Sequence, residues 1–216
     1  MLMTIGGLVV AMVLLAVSLF TKKRWLTKFV AGGVAVWFVF YVIMLLGFSL
    51  TSTEKVLAAG EEKEYCGFYL DCHMHTTVTS VRTAKTIGTA TAKDKFYIVN
   101  IKVSSDARNP AIKLRLLEPK ARVVMPDKTK IERDTAAEAL LPTANVRLDT
   151  DIDNRTTIEK EIVFDLPSGP GDPKLLITEG YGIDRNIEHV LVGDEDSLFH
   201  GQTFFKLQEQ NTTAGL

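Results

Sequence analysis

Hydrophobic and polar positions divide the chain into three regimes. Residues 1–20 (MLMTIGGLVVAMVLLAVSLF) carry no charge and are almost wholly apolar, and residues 29–50 (FVAGGVAVWFVFYVIMLLGFSL) repeat the pattern. As a helix rising 1.5 Å per residue the second run is roughly 33 Å long, enough to cross a hydrocarbon core of about 30 Å. Residues 21–28 (TKKRWLTK) between them are too short for anything but a tight turn. The prediction is a transmembrane helical hairpin, with helices over about 1–20 and 29–50 joined by a loop over 21–28. Residues 51–65 are polar and read as a tether.

Beyond the tether the period changes from helical to alternating. In Lys95–Ser104 (KFYIVNIKVS), Tyr97, Val99, Ile101 and Val103 fall on one face, and Phe96, Ile98, Asn100 and Lys102 on the other. Thr156–Leu166 alternates in the same way. Shorter strands are predicted at Met74–Val81, Ala111–Leu117, Ala121–Met125, Lys130–Arg133, Lys174–Thr178, Ile187–Val192 and Thr203–Leu207. Pro126-Asp127-Lys128-Thr129 has the composition of a hairpin turn. Asp134–Leu141 (DTAAEALL) reads as one short helix behind an Asp cap. Many short strands with almost no helix predict a mainly β fold, an antiparallel β-sandwich over 66–207, ending in a flexible tail at 208–216.

Charge then gives the anchor a direction. Residues 1–50 contain no Asp or Glu, and their only charges, Lys22, Lys23, Arg24 and Lys28, lie in or beside the linker. Basic loops stay in the cytoplasm, so the linker is expected there, with the N-terminus and residues 51–216 on the extracytoplasmic side of the cell membrane. The first run has its positive charges after the apolar stretch, not before it, which argues for an anchor over a cleaved signal peptide. All 26 acidic residues fall in 51–216. That mildly acidic part is a poor match for nucleic acid, which needs a basic face.

Small residues run through both apolar segments, including Gly32 and Gly33, and permit close helix approach. Trp37, Phe38 and Tyr41 crowd the second. Two uses are open: packing of the two helices on each other, or docking on another membrane protein.

The order of features, an anchor, a tether, "KFYIVNIKVSSDARNP", then "TTIEKEIVFDLPSG" and a closing "FFKL", resembles the immunoglobulin-like (telokin-like) extracytoplasmic domains of unknown function. The resemblance covers roughly residues 74–207 and implies two central strands in a sandwich. It brings no active site with it. The cysteine pair and the two-helix anchor are departures from that family.

Chemistry concentrates in Glu64–His75 (EYCGFYLDCHMH), which holds both cysteines. Catalytic-serine, phosphate-loop and dinucleotide patterns are missing, so no enzyme is predicted. Haem attachment needs Cys-x-x-Cys-His, and here five residues separate Cys66 from Cys72. A metal or electron-transfer site would draw on these cysteines with His73, Met74 and His75, and their softness suits copper or zinc. On a strand, His73 and His75 share a face while Cys72 points away. A disulfide Cys66–Cys72 is the expected alternative, because an extracytoplasmic thiol pair is oxidised and Gly67 lets the short loop close. The acidic runs at 149–153 and 193–196 read as ordered loops. The leading expectation is therefore a non-enzymatic accessory subunit that binds the bilayer and a protein of a larger membrane complex, with metal binding as its competitor.

Overall fold

The computed structural model describes residues 2–20, 24–66, 72–167 and 171–209. They form two units, one of Met1–Ser52 with His189–His200 and one of Thr53–Glu188 with Gly201–Leu216.

The first unit is built on helices α1 (Leu2–Phe20) and α2 (Arg24–Thr51). At 28 residues α2 is about 42 Å long, and among the described residues it alone is long and apolar enough to cross a membrane. One of the two predicted spans is matched by such a helix. The linker is also shorter than predicted, because α2 starts at Arg24. Trp25 stacks on Phe29 one turn later at 5.9 Å, a contact that rewards helix over turn. Residues 21–23 lie outside the described residues. The Ser18 hydroxyl, buried, is hydrogen-bonded to that of Thr27 and ties the two helices together.

The second unit is a β-sandwich. Its strands are β1 (Lys55–Leu57), β2 (Glu62–Tyr65), β3 (Met74–Ile87), β4 (Ala90–Ser105), β5 (Lys120–Val124), β6 (Lys130–Glu132), β7 (Ile158–Leu166), β8 (Lys174–Thr178) and β9 (Thr203–Lys206). One sheet has the order β1-β9-β8-β5-β6 and the other β2-β3-β4-β7. Their inner faces meet in one core that includes Val78, Val99, Ile101, Ile162 and Phe164 from one sheet and Val123, Leu175, Ile177 and Phe205 from the other. The two faces of β4 separate as the alternation predicts. Val99, Ile101 and Val103 enter the main core, while Phe96 and Ile98 form a second cluster with Ala137, Leu141 and Val163.

That second cluster lies under helix α3 (Thr135–Glu138), which begins as predicted: the Asp134 carboxylate caps it by accepting from Ala137 N at 2.9 Å. The segment around α3 also covers the outer edge of β7, where a sheet would otherwise present free backbone groups. Asp134 N donates to Val163 O at 2.8 Å. Val163 N donates to Glu138 Oε1 at 3.1 Å, and Glu161 N to Thr143 Oγ1 at 3.1 Å.

Four expectations are corrected. Residues 51–65 are not a plain tether, since β1 and β2 belong to the two sheets. Their polar composition hides an alternation in which Leu57, Lys63 and Tyr65 are buried. Lys63 reaches inward so that Nζ donates to Ile177 O at 2.9 Å, and Tyr65 Oη donates to the same carbonyl at 3.2 Å. Nor is the sandwich wholly antiparallel, because β1 runs parallel to β9. Close approach permits this pairing: a Cβ on Gly201 would lie 2.5 Å from the Thr53 carbonyl carbon, so only glycine lets the two chains meet there.

The strand predicted at 111–117 is reduced to a single bridge, Leu114 to Ile152, because a turn at Asn109–Ile112 precedes it. The strand predicted at 187–192 is replaced by helix α4 (Gly182–Glu188) and turns. Of the predicted tail, Glu209 is bonded to Thr83 at 2.8 Å, and residues 210–216 lie outside the described residues.

Candidate functional site

The chemistry-bearing stretch falls at one end of the four-stranded sheet, where β2 and β3 meet. Cys66 follows β2, Cys72 precedes β3, and the two form a disulfide with Cα atoms 3.8 Å apart. The bridge closes the connection between two paired strands, so it pins the register that aligns Tyr65 with Met74 and Glu64 with His75. Residues 67–71 between the cysteines lie outside the described residues.

Sequence alternation pairs His73 with His75, and the structure adds a third group that nothing in the local sequence announces. Asp106 follows β4, the strand partnered with β3. Its Oδ1 lies 2.6 Å from His73 Nδ1 and 3.3 Å from His75 Nε2, and its amide donates to His73 O at 3.2 Å. The histidine contacts hold the Asp106 carboxyl below the usual carboxylate range, the hydrogen bond from His73 first and the close approach of His75 second. The His75 side chain is only 9% exposed and sits 3.9 Å from Glu62 Oε2. It lies within ion-pair reach of both carboxylates but makes a well-aligned hydrogen bond to neither, so both ring nitrogens are buried without a partner. Thr77 Oγ1, two residues on and therefore on the same strand face, is in the same condition. Two imidazoles around one carboxylate make a clasp that ties the foot of the disulfide loop to the end of β4.

As a metal centre the stretch has lost most of its predicted donors. Both thiols are consumed in the disulfide. Met74 is turned into the main core, away from the histidines. His73 Nδ1 is engaged in a direct hydrogen bond with Asp106 Oδ1. Among the described residues no group of three or more His, Cys, Asp or Glu side chains is set to hold a metal ion.

The acidic runs serve loop geometry. Asp149 pairs with Arg147 through contacts of 2.9 and 2.6 Å, and Asp153 accepts from Arg155 N at 2.8 Å. Asp194 accepts from Asp196 N at 2.9 Å, the turn bond its position predicts. Beside the β5–β6 turn a cleft of about 260 Å³ is lined by Met125, Pro126, Asp127, Thr129, Ile131 and Pro167. Its one carboxylate, Asp127, is engaged with Thr129 N at 2.9 Å.

The residues predicted to meet a membrane partner all lie on α2. Among the described residues nothing lies within 4 Å of a Cβ placed on Gly32, Gly33 or Gly47. Val36, Val39 and Ile43 continue the face of Gly32 toward Gly47 at helical spacing, and they are 72, 56 and 62% exposed. Phe38 and Phe40 are exposed as well, and Trp37 stacks on Tyr41 at 5.4 Å.

No protein-family model matches the chain, and no curated protein does. The immunoglobulin-like assignment therefore has no matching family behind it, and the strand order shows a β-sandwich. Among solved structures the chain is similar to an uncharacterized β-sandwich protein from Clostridium difficile 630, at 10% identity and a TM-score of 0.37, over 73% of this chain and 96% of that one.

Proposed function

We propose that the protein is a non-enzymatic, membrane-anchored subunit whose extracytoplasmic, immunoglobulin-like sandwich and α2 helix bind the proteins of a larger membrane complex. The observation that carries this reading is the face of α2 from Gly32 through Val36, Val39 and Ile43 to Gly47, which is open among the described residues. Glycines whose Cβ positions meet nothing among the described residues let a second helix approach closely, and in lipid that packing is a principal source of association. In this reading α1 is the second limb of a hairpin anchor, and the basic linker holds it in the cytoplasm. The Cys66–Cys72 bridge supports the placement of the sandwich outside, in an oxidising compartment. The immunoglobulin-like reading draws support from strand order. β9-β8-β5 in one sheet faces β3-β4-β7 in the other, as strands G-F-C face A-B-E in that architecture.

Detergent-solubilised protein from native membranes is expected to co-purify with a partner at fixed stoichiometry. Gly32→Leu, at a position where an added Cβ meets no described atom, should abolish the co-purification while leaving the sandwich folded. A lone monomer on native gels would refute the proposal.

A further inference from the structure

Residues 189–200 (HVLVGDEDSLFH) leave the sandwich after Glu188, join the helical unit, and return at Gly201. Within that unit they run alongside the outer part of α2. The buried Ser197 hydroxyl is 3.0 Å from that of Ser49, and the Tyr41 hydroxyl donates to the Val190 carbonyl. Tyr41 and Ser49 are eight residues apart, so the segment follows α2 for about 12 Å along its axis. It closes on itself through Leu198 N to His189 O at 3.0 Å and Ser197 N to Asp194 O at 3.2 Å, which satisfies backbone groups without help from water. Yet it exposes Val190, Val192, Leu198 and Phe199, the last at 72%. Phe199 is also held at φ +66°, a left-handed conformation that bulky residues rarely adopt. A strained backbone that presents a bare phenyl ring calls for something to receive the ring.

The length of α2 says what lies at that level. With Arg24 and Trp25 in the cytoplasmic headgroup layer, a hydrocarbon core of about 30 Å is crossed in roughly 20 residues, ending near Met44. Tyr41 then lies just inside the core and Ser49 in the opposite headgroup layer. The segment bonded to both straddles the boundary. We infer that residues 189–200 form an interfacial loop that inserts Val190, Val192, Leu198 and Phe199 into the outer leaflet of the bilayer beside α2. The occupant of this apolar surface is lipid, and the loop is a second membrane attachment of the sandwich. Burial pushes the Asp194 carboxyl above its ordinary range, which eases its placement near lipid.

This inference rests on α2 as the membrane span, and the test separates the two. Full-length protein with its native disulfide is reconstituted in phosphatidylcholine vesicles, with a nitroxide on Phe199→Cys or, as a second site in case that variant misfolds, Val192→Cys. References are Phe40→Cys on α2 and Lys128→Cys on the β5–β6 turn. Collision rates with oxygen and with a water-soluble nickel chelate define a depth parameter, positive in lipid and negative in water. Positive values at 192 and 199, matching 40 and opposite to 128, are expected. Negative values at 192 and 199 with a positive value at 40 overturn the loop while sparing the anchor. A negative value at 40 overturns both. Labels at 192 and 199 shielded from both reagents mean a protein covers the loop, which also overturns the inference.

Discussion

Replacing Glu138 by alanine tests whether the segment around α3 clamps the edge of β7. The Glu138 side chain is 6% exposed, and its two oxygens are shared between Arg133 and the sheet. Oε1 accepts from Arg133 Nε at 2.8 Å and from Val163 N at 3.1 Å, and Oε2 accepts from Arg133 Nη2. Alanine strands the amide of Val163, a residue with no exposed surface, at about 1–3 kcal/mol. It also leaves the Arg133 guanidinium, three-quarters buried, without its carboxylate. Breaking one side of a buried ion pair costs about 3–5 kcal/mol, and the partial exposure of Arg133 places the sum at the lower end, about 3 kcal/mol. For a domain of this size that lowers Tm by roughly 6–12 °C. Thermal melting of the full chain in detergent, followed by near-UV circular dichroism, reads the shift. Glu138→Gln keeps an oxygen for Val163 N but not the charge, and should lose about half as much. Hydrogen exchange at Val163 should accelerate in the alanine variant. A Glu138→Ala protein melting within about 1 °C of the parent would show that the clamp contributes nothing.

Three further outcomes are expected. Cys66→Ser with Cys72→Ser should destabilise the sandwich by about 2 kcal/mol in urea titration, since the closed loop is short, and intact mass under non-reducing conditions should find the parent two hydrogens lighter than its reduced form. Asp106→Asn should destabilise at neutral pH. The parent Asp106 carboxyl is held below its ordinary range by His73 and His75, so its contribution is present above the unfolded-state value and disappears as pH falls through the folded one; urea curves of the two proteins should converge in acid, and a gap that persists there would contradict the clasp. Gly201→Ala should cost about 2 kcal/mol or more, because the added methyl meets the Thr53–Glu54 backbone, and a melting point equal to the parent's would remove the close approach from the account.

Much of the sandwich is legible where side-chain pattern and burial coincide. The two faces of β4 and the Asp134 cap follow from alternation and from a side chain that can reach a helix amide. The turn at 126–129 follows from its Pro-Asp pair: Met125 N donates to Thr129 O at 2.9 Å, and Lys128 takes φ +68°. Features that depend on distant backbone are hidden. Lys63 looks like a tether residue because its reason for burial is a carbonyl 114 positions away. Glu138 looks like an ordinary helical glutamate, since its partner is an edge amide of β7. In the candidate site the disulfide and the paired histidines are visible in the local sequence. Asp106 is not, because β3–β4 pairing over more than thirty residues brings it to His73. Residues 187–192 misled through a short apolar run that is too brief to separate strand from helix.

The open face of α2 is proposed to receive another membrane protein. Val36, 72% exposed on that face, can be replaced by p-benzoylphenylalanine and irradiated in native membranes. One discrete protein adduct is expected, carried equally by a probe at Ile43 and lost when Gly32→Leu is present. Illumination that yields only uncrosslinked monomer or lipid adducts from both positions would contradict it.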